Sequence, residues 1–225
     1  MAFIISADLH RMKILALSDK VVPFIYSSQL RSRFSGTDLV LGCGDLPYYY
    51  LEFVLDSLDI PLFFVRGNHD VLVEHSSEAQ RTKPNGATDL HARHFRYRGL
   101  LLAGVEGSRK YREGPFQYTQ SGMWWHVFRL VPGLFRNRLV HGRFLDVFVT
   151  HSPPFGMHDQ DDLPHQGIKA FRWLVDSFQP AYYFHGHVHI IGTAENVIGH
   201  IGKTTVINSF GFREVEFDDS PSENK

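Results

Sequence analysis

Short apolar runs that empty directly into polar clusters recur along this chain, and no other feature restricts its fold so strongly. The clearest is Ile60-Pro61-Leu62-Phe63-Phe64-Val65, followed within two residues by Gly67-Asn68-His69-Asp70. An apolar run of that length, without polar alternation, reads as a strand buried on both faces. In an open α/β sheet, ligands gather beyond the carboxyl ends of the strands. The tetrad therefore marks a site, and Gly67 lets the backbone turn sharply into it. Four further runs end the same way. Lys13 to Ser18 leads to Asp19, Asp38 to Leu41 leads to Gly44-Asp45, Asp146 to Thr150 leads to His151, and Ala181 to Phe184 leads to His185-Gly186-His187-Val188-His189.

Between these runs lie helix-sized segments, Tyr26 to Phe34, Pro47 to Leu58 with proline near its first turn, and Ile168 to Phe178. The spacing from Asp19 to Asp45 is that of a compact βαβ unit. A rival start, Phe3-Ile4-Ile5 running to Asp8-Leu9-His10, would force a strand into the crossover, so Asp19 is preferred. Residues 1–11 then form an N-terminal extension, 12–217 a single domain, and 218–225 a polar tail. Phe95 to Arg98 and Leu100 to Val105 flank Gly99 as a hairpin, and Gly107 to Tyr111 leaves it as a polar loop. Val71 to His91 reads as a loop or a short excursion over the site. Short strands are expected around Thr193 to Val197, Thr204 to Ile207 and Glu214 to Phe217.

At 225 residues the chain is long enough to bury one substantial core. A formal net charge of −1 supplies no global field for a nucleic-acid or membrane partner. The single cysteine, Cys43, excludes an internal disulfide framework and suits a reducing compartment, read as a small buried filler. No stretch is long enough to span a bilayer, and Met1 to Ser6 lacks the charged region and length of a signal peptide, so a cytoplasmic location is expected. Fourteen histidines raise the expectation of metal or proton chemistry.

One region stands apart. Residues 116–145 carry Trp124, Trp125, Phe128 and Phe135 with Arg129, Arg136, Arg138 and Arg143 and no acidic residue. Pro132-Gly133 divides it into two helical pieces. Such a segment either packs on a sheet with its arginine heads in solvent, covers a substrate cleft, or makes peripheral contact with a membrane.

The strand ends together present Asp19, Asp45, Asn68-His69, His151 and His187 with His189. Oxygen donors mixed with imidazoles suit Mn, Fe, Zn or Ni, and the lack of thiolates argues against a structural zinc. A carboxylate such as Asp45 can bridge two cations, and two cations ~3.5–4 Å apart clamp a phosphoryl group. Arg109 and Arg112 are candidates for phosphate contact. His158, Asp159, Asp161, Asp162 and His165 form a polar loop after His151, while His185 reads as packing near the site.

In this ordered set the chain resembles the calcineurin-like metallophosphoesterases. Four of that family's five motifs stand intact: Gly44-Asp45, Gly67-Asn68-His69-Asp70, His151 and Gly186-His187-Val188-His189. The resemblance implies a four-layer αββα sandwich, two mixed β-sheets face to face flanked by helices. It implies two divalent transition-metal ions, Mn favoured, one held by Asp19, Asp45 and His189 and the other by Asp45, Asn68, His151 and His187. His69 would be catalytic, beside the scissile phosphate, with Asp70 orienting it. The implied activity is hydrolysis of a phosphomonoester or phosphodiester by metal-activated water. The alternatives are a catalytically weakened scaffold that binds proteins, or a nuclease or lipid-phosphate hydrolase. The first motif departs from the pattern: Asp19-Lys20-Val21 has valine where the family places a ligating histidine. The Asp19/His189 site is therefore expected to be the weaker one, unless His10 substitutes.

Overall fold

The computed structural model describes residues 11–75, 80–189 and 197–217. In chain order the elements are β1 (Met12–Ser18), α1 (Leu30–Arg33), β2 (Leu39–Cys43), α2 (Tyr48–Leu58), β3 (Leu62–Val65), β4 (Glu74–His75), β5 (Gln80–Arg81) and β6 (Thr88–Asp89). There follow β7 (Arg93–Tyr97), β8 (Leu100–Val105), β9 (Ser108–Arg109), β10 (Gln117–Tyr118), α3 (Gln120–His141) and β11 (Val147–Thr150). The chain continues through α4 (Lys169–Phe178), β12 (Tyr182–His185), β13 (Ile198–Ile201), β14 (Thr204–Asn208) and β15 (Gly211–Phe217).

Two mixed sheets carry the fold. The first has the order β15-β1-β2-β3-β6 and the second β13-β14-β12-β11-β8-β7. In each, the central strands are parallel and only the partners β15, β13 and β7 run antiparallel. Because successive side chains of a strand point to opposite faces, β1 sends Ile14 and Ala16 one way and Leu15 and Leu17 the other. Ile14 and Ala16 join Leu41, Val65, Val149 and Phe184 in a core between the sheets. Leu15 and Leu17 pack with Tyr50, Leu51 and Val54 of α2. The outer face of the second sheet is covered by α3 and α4 through Val127, Leu130, Leu134, Phe171 and Leu174. The result is the expected αββα sandwich, and both sheets are buried on two faces, as their uninterrupted apolar runs require.

Parallel register brings the strand ends to one edge. Leu41 of β2 stands opposite Ala16 and Phe63, and Val149 of β11 opposite Phe184, so the residues following these strands emerge together.

Three elements differ from the sequence reading. Only one turn, Leu30–Arg33, of the segment from Tyr26 to Phe34 is helical. Ser27 accounts for the late start: its hydroxyl donates to the Phe24 carbonyl and accepts from the Gln29 N–H, holding a turn instead. The region around Pro132 is one continuous helix of 22 residues, not two pieces. Met123, Val127, Leu130 and Leu134 form an unbroken buried stripe across the proline, and this packing outweighs the ~3 kcal/mol cost of an interior proline. Gly133 permits the close approach, because a Cβ there would run into the His94 ring. Finally, Ile198–Ile201 forms the edge strand β13, and residues 193–196 of the segment expected as a strand lie outside the described residues.

Candidate metal centre

The site is assembled from five loops, each leaving the carboxyl end of a strand, β1, β2, β3, β11 or β12. Asp19 follows β1, Asp45 follows β2, and both adopt positive φ, 63° and 55°. His187 after β12 does the same at 68°. Side-chain-bearing residues seldom adopt this conformation, and its clustering at one edge marks a place where backbone strain is maintained. Close approach also fixes the glycines. A Cβ on Gly44 would meet the His151 ring, and one on Gly67 would meet the Asp45 carboxylate.

Asp70 clamps two of the loops together. Its buried carboxylate accepts from the N–H groups of Gly67 (2.7 Å), Leu46 (3.0 Å) and Asp45 (3.1 Å). Burial and the neighbouring Asp45 charge push its pKa up to about 7. Through these bonds Asp70 holds the backbone of the Asp45 loop against that of Gly67. The His69 ring is exposed at the rim, its Nδ1 lying 3.2 Å from the Arg112 guanidinium. Its backbone N–H donates to Asp45 Oδ1 at 2.7 Å.

The buried heart of the site is the His151 ring, which is fully enclosed. Its Nδ1 lies 2.8 Å from the Cys43 carbonyl, so Nδ1–H donates and Nε2 is turned to the site. Around that Nε2 stand Asp45 Oδ2 at 3.2 Å, Asn68 Oδ1 at 3.2 Å and His187 Nδ1 at 3.1 Å. His187 is set in the same manner, because its Nε2 donates to the Pro164 carbonyl at 2.8 Å and leaves Nδ1 as a lone pair. Tyr111 fixes Asn68, taking the amide N–H₂ at 3.2 Å so that the oxygen faces His151. One proton on His151 cannot satisfy three acceptors. A cation among them can, and atoms of Asp45, His151 and His187 lie within 4.8 Å of one another. The donor set thus fits a divalent transition metal.

The electrostatics follow the same geometry. Burial opposes charge on His151, but the adjacent Asp45 carboxylate prevails and raises its pKa to about 9. Asp45 is likewise opposed by burial and brought down to about 2, chiefly by His151. Burial and the His151 charge lower His187 to about 4.

Asp19 and His189 are arranged differently. Both Asp19 oxygens accept the His187 backbone N–H, at 3.1 and 3.0 Å, and His189 Nε2 lies 3.6 Å from Oδ1. The His189 side chain is 60% exposed and rests on the Phe210 ring. Val21 packs against the outer core that contains Leu17, Ile25 and Tyr50. His10 lies outside the described residues.

The remaining candidates divide clearly. His185 is fully buried, with Nε2 2.9 Å from His158 Nδ1, and burial lowers its pKa to about 3. Asp159 caps loop N–H groups of Gly156 and Gly167, and His165 pairs with Asp162 at 2.7 Å. Arg109 lies in β9, and Cys43 is a buried thiol whose pKa burial raises to about 12. Tyr111 and the Pro164 carbonyl escaped the sequence reading. Tyr111 had only its place beside Arg112 to recommend it, and a backbone carbonyl leaves no signal in residue identity.

Residues 1–190 match the family model described as calcineurin-like phosphoesterase. No curated protein sequence matches the chain. Among solved structures, one crystal structure superposes with a TM-score of 0.61 at 15% identity, covering 92% of this chain and 95% of its own. GAP50, the anchor in the inner membrane complex of Plasmodium, superposes with a TM-score of 0.50 at 12% identity, over 88% of this chain and 71% of its own. At these identities the likeness is one of fold.

Proposed function

The chain belongs to the calcineurin-like phosphoesterase family, and from that premise we propose that it is a metal-dependent phosphoric ester hydrolase with a two-cation centre. The observation that carries the reading is the convergence of Asp45 Oδ2, Asn68 Oδ1 and His187 Nδ1 on His151 Nε2, at 3.1 to 3.2 Å. Asp45, Asn68, His151 and His187 would hold one ion; Asp19, Asp45 and His189 would hold the other. When bound, the cations bring the pKa of the attacking water toward ~7 and neutralise the phosphoryl oxygens.

The chain's own residues do the rest. Asp45 places His69 through the 2.7 Å bond to its backbone N–H. Arg112 donates to Nδ1, so the ring keeps its hydrogen on Nε2, where it would hydrogen-bond the charge developing on the departing oxygen. Tyr111 and Asp70 keep Asn68 and the Asp45 loop in register with that ring. The test is metal analysis of the purified protein beside assays on generic mono- and diester substrates. Chelation should abolish hydrolysis, and Mn should restore it better than Mg because imidazole favours the later metals. Full activity after exhaustive demetallation would sink the reading.

A second reading, a lipid-phosphate hydrolase, is favoured by the outer face of α3. Trp125, Phe135 and Leu139 are 65%, 53% and 87% exposed there, beside Arg129 and Arg136. No helix among the described residues is long and apolar enough to cross a membrane, so contact of this kind would be peripheral. Cosedimentation with anionic but not neutral vesicles would support it, and binding to neither would remove it.

A further inference from the structure

His69 stands on a ridge between two cavities of unlike chemistry. The first, of 330 Å³, opens on the Asp45 side and is walled by Leu46, Pro47, Tyr48 and Val71. Its acidic groups are already engaged: Glu74 accepts from the N–H groups of Tyr48 and Tyr49 at 2.7 and 3.1 Å, and Asp70 from three backbone N–H groups. What this cavity offers a ligand is therefore mainly carbon.

The second cavity, of 280 Å³, opens on the Asn68 side and is lined by Arg112, Gly114, Pro115 and Gln117. Gln117 Oε1 accepts from the N–H groups of Tyr111 and Arg112, at 3.4 and 3.3 Å, which shapes the loop. That leaves Gln117 Nε2 buried and without a partner among the described residues. Glu113, the one carboxylate on this loop, is 92% exposed and paired with Lys110 at 2.7 Å. Asp70 also lines this cavity, but its oxygens accept three backbone N–H groups, so neither carboxylate is paired with Arg112. A buried donor lacking an acceptor costs free energy unless a ligand supplies one.

A phosphoryl group held at Asp45 and Asn68 against His69 would have space on both sides. A monoester has one substituent and would use one cavity. We propose that the substrate is a phosphodiester with two unlike arms, one apolar and lying along Pro47 and Tyr48, the other rich in oxygen acceptors or anionic and read by Arg112 and Gln117. This rests on the phosphoesterase reading. Water adds to phosphorus while one phosphorus–oxygen bond breaks. The departing oxygen, hydrogen-bonded by the His69 Nε2–H, takes up the proton that the water releases, and the products are an alcohol and a phosphomonoester.

The experiment uses the full-length, Mn-loaded protein and has a binding arm and a turnover arm. Calorimetry compares diphenyl phosphate with phenyl phosphate, two esters with poor leaving groups. The diester should bind ~10-fold or more tighter, since even one extra apolar contact in a pocket is worth that factor. Turnover compares 4-nitrophenyl phosphate, bis(4-nitrophenyl) phosphate and 4-nitrophenyl phosphorylcholine, whose second arm is cationic. The bis-ester should be the best of the three, with the choline ester ~10-fold or more below it, because like charges brought together are strongly disfavoured. Arg112→Ala should narrow that gap chiefly through KM, and Arg112→Lys should restore most of it. Tighter binding or faster turnover of the monoester would overturn the proposal, as would an unchanged choline penalty in Arg112→Ala. Tighter diphenyl phosphate binding without turnover of any ester would keep the two-arm site and overturn hydrolysis instead.

Discussion

The two halves of the candidate centre share Asp45 and little else. Around His151 the donors are buried and pre-aimed: two rings are held in the required tautomer by the Cys43 and Pro164 carbonyls, and an amide is turned by Tyr111. Around Asp19 the geometry is looser. Its oxygens are occupied by a backbone N–H, its histidine partner is mostly exposed, and the side chain at 21 is packed in apolar contacts. Preorganisation of this kind separates a tight site from a weak one even where the donor types are similar, because outer hydrogen bonds orient the ligands. The difference teaches that the missing imidazole at Val21 is one part of a larger asymmetry in burial and orientation.

Asp45→Asn should have the largest effect, since one carboxylate serves both halves. Hydrolysis should fall by more than the ~10–100-fold that loss of an outer-shell partner costs, and metal analysis should show both ions affected. If one ion survives at full occupancy, Asp45 is not shared. His69→Ala belongs to neither half and should separate chemistry from binding. Turnover should drop ~10²–10⁴-fold with metal content unchanged, and the loss should shrink for a nitrophenolate leaving group. Loss of bound metal would instead make His69 a ligand.

Removing one imidazole from each half measures the asymmetry directly. His151→Ala should weaken metal binding by at least ~10–100-fold, while His189→Ala should cost less, as befits a ligand without a fixed second hydrogen bond. Equal losses in metal titrations would erase the distinction between the halves. A pH series sharpens it. His151 has its pKa raised from 6.5 to about 9 by Asp45. In metal-free protein its contribution to stability is whole below about 6.5 and is lost as pH rises through about 9. Chelated protein should therefore lose melting temperature across that window. Mn-loaded protein should not, because a ligating His151 is already neutral. Parallel curves would argue against metal at His151.

Val21→His should give the smallest change. A new imidazole has to leave the outer core to reach Asp19, so the weaker site should tighten by no more than the ~10-fold lower end of such effects, with some loss of thermal stability. A much larger gain would show that Val21 faces the site. Should His10 already serve, a chain beginning at Met12 would bind the weaker metal less well, and Val21→His would repair it.

Residue identity and spacing were enough to locate the buried strands and their polar ends, and the resemblance carried by the ordered motifs implied the sandwich. An apolar run buried on both faces is legible locally, and a side chain at the end of such a run is placed by the strand that precedes it. The sequence also identified Asp45, Asn68, His151 and His187 as potential ligands, because donor chemistry belongs to the residue itself. What it left undecided depends on contacts between distant segments. The tautomer of His151 is set by a carbonyl 108 residues away and its approach to Asn68 spans 83 residues. Asp70 binds the Asp45 loop 24 and 25 residues upstream rather than its neighbour His69. The helix through Pro132 persists because its buried stripe meets the second sheet, and the cavities beside His69 arise where loops from separate strands converge. Local pattern specifies which groups are present and on which edge. Only long-range packing decides which way each group points, since a hydrogen bond or a cavity wall requires both partners in place at once.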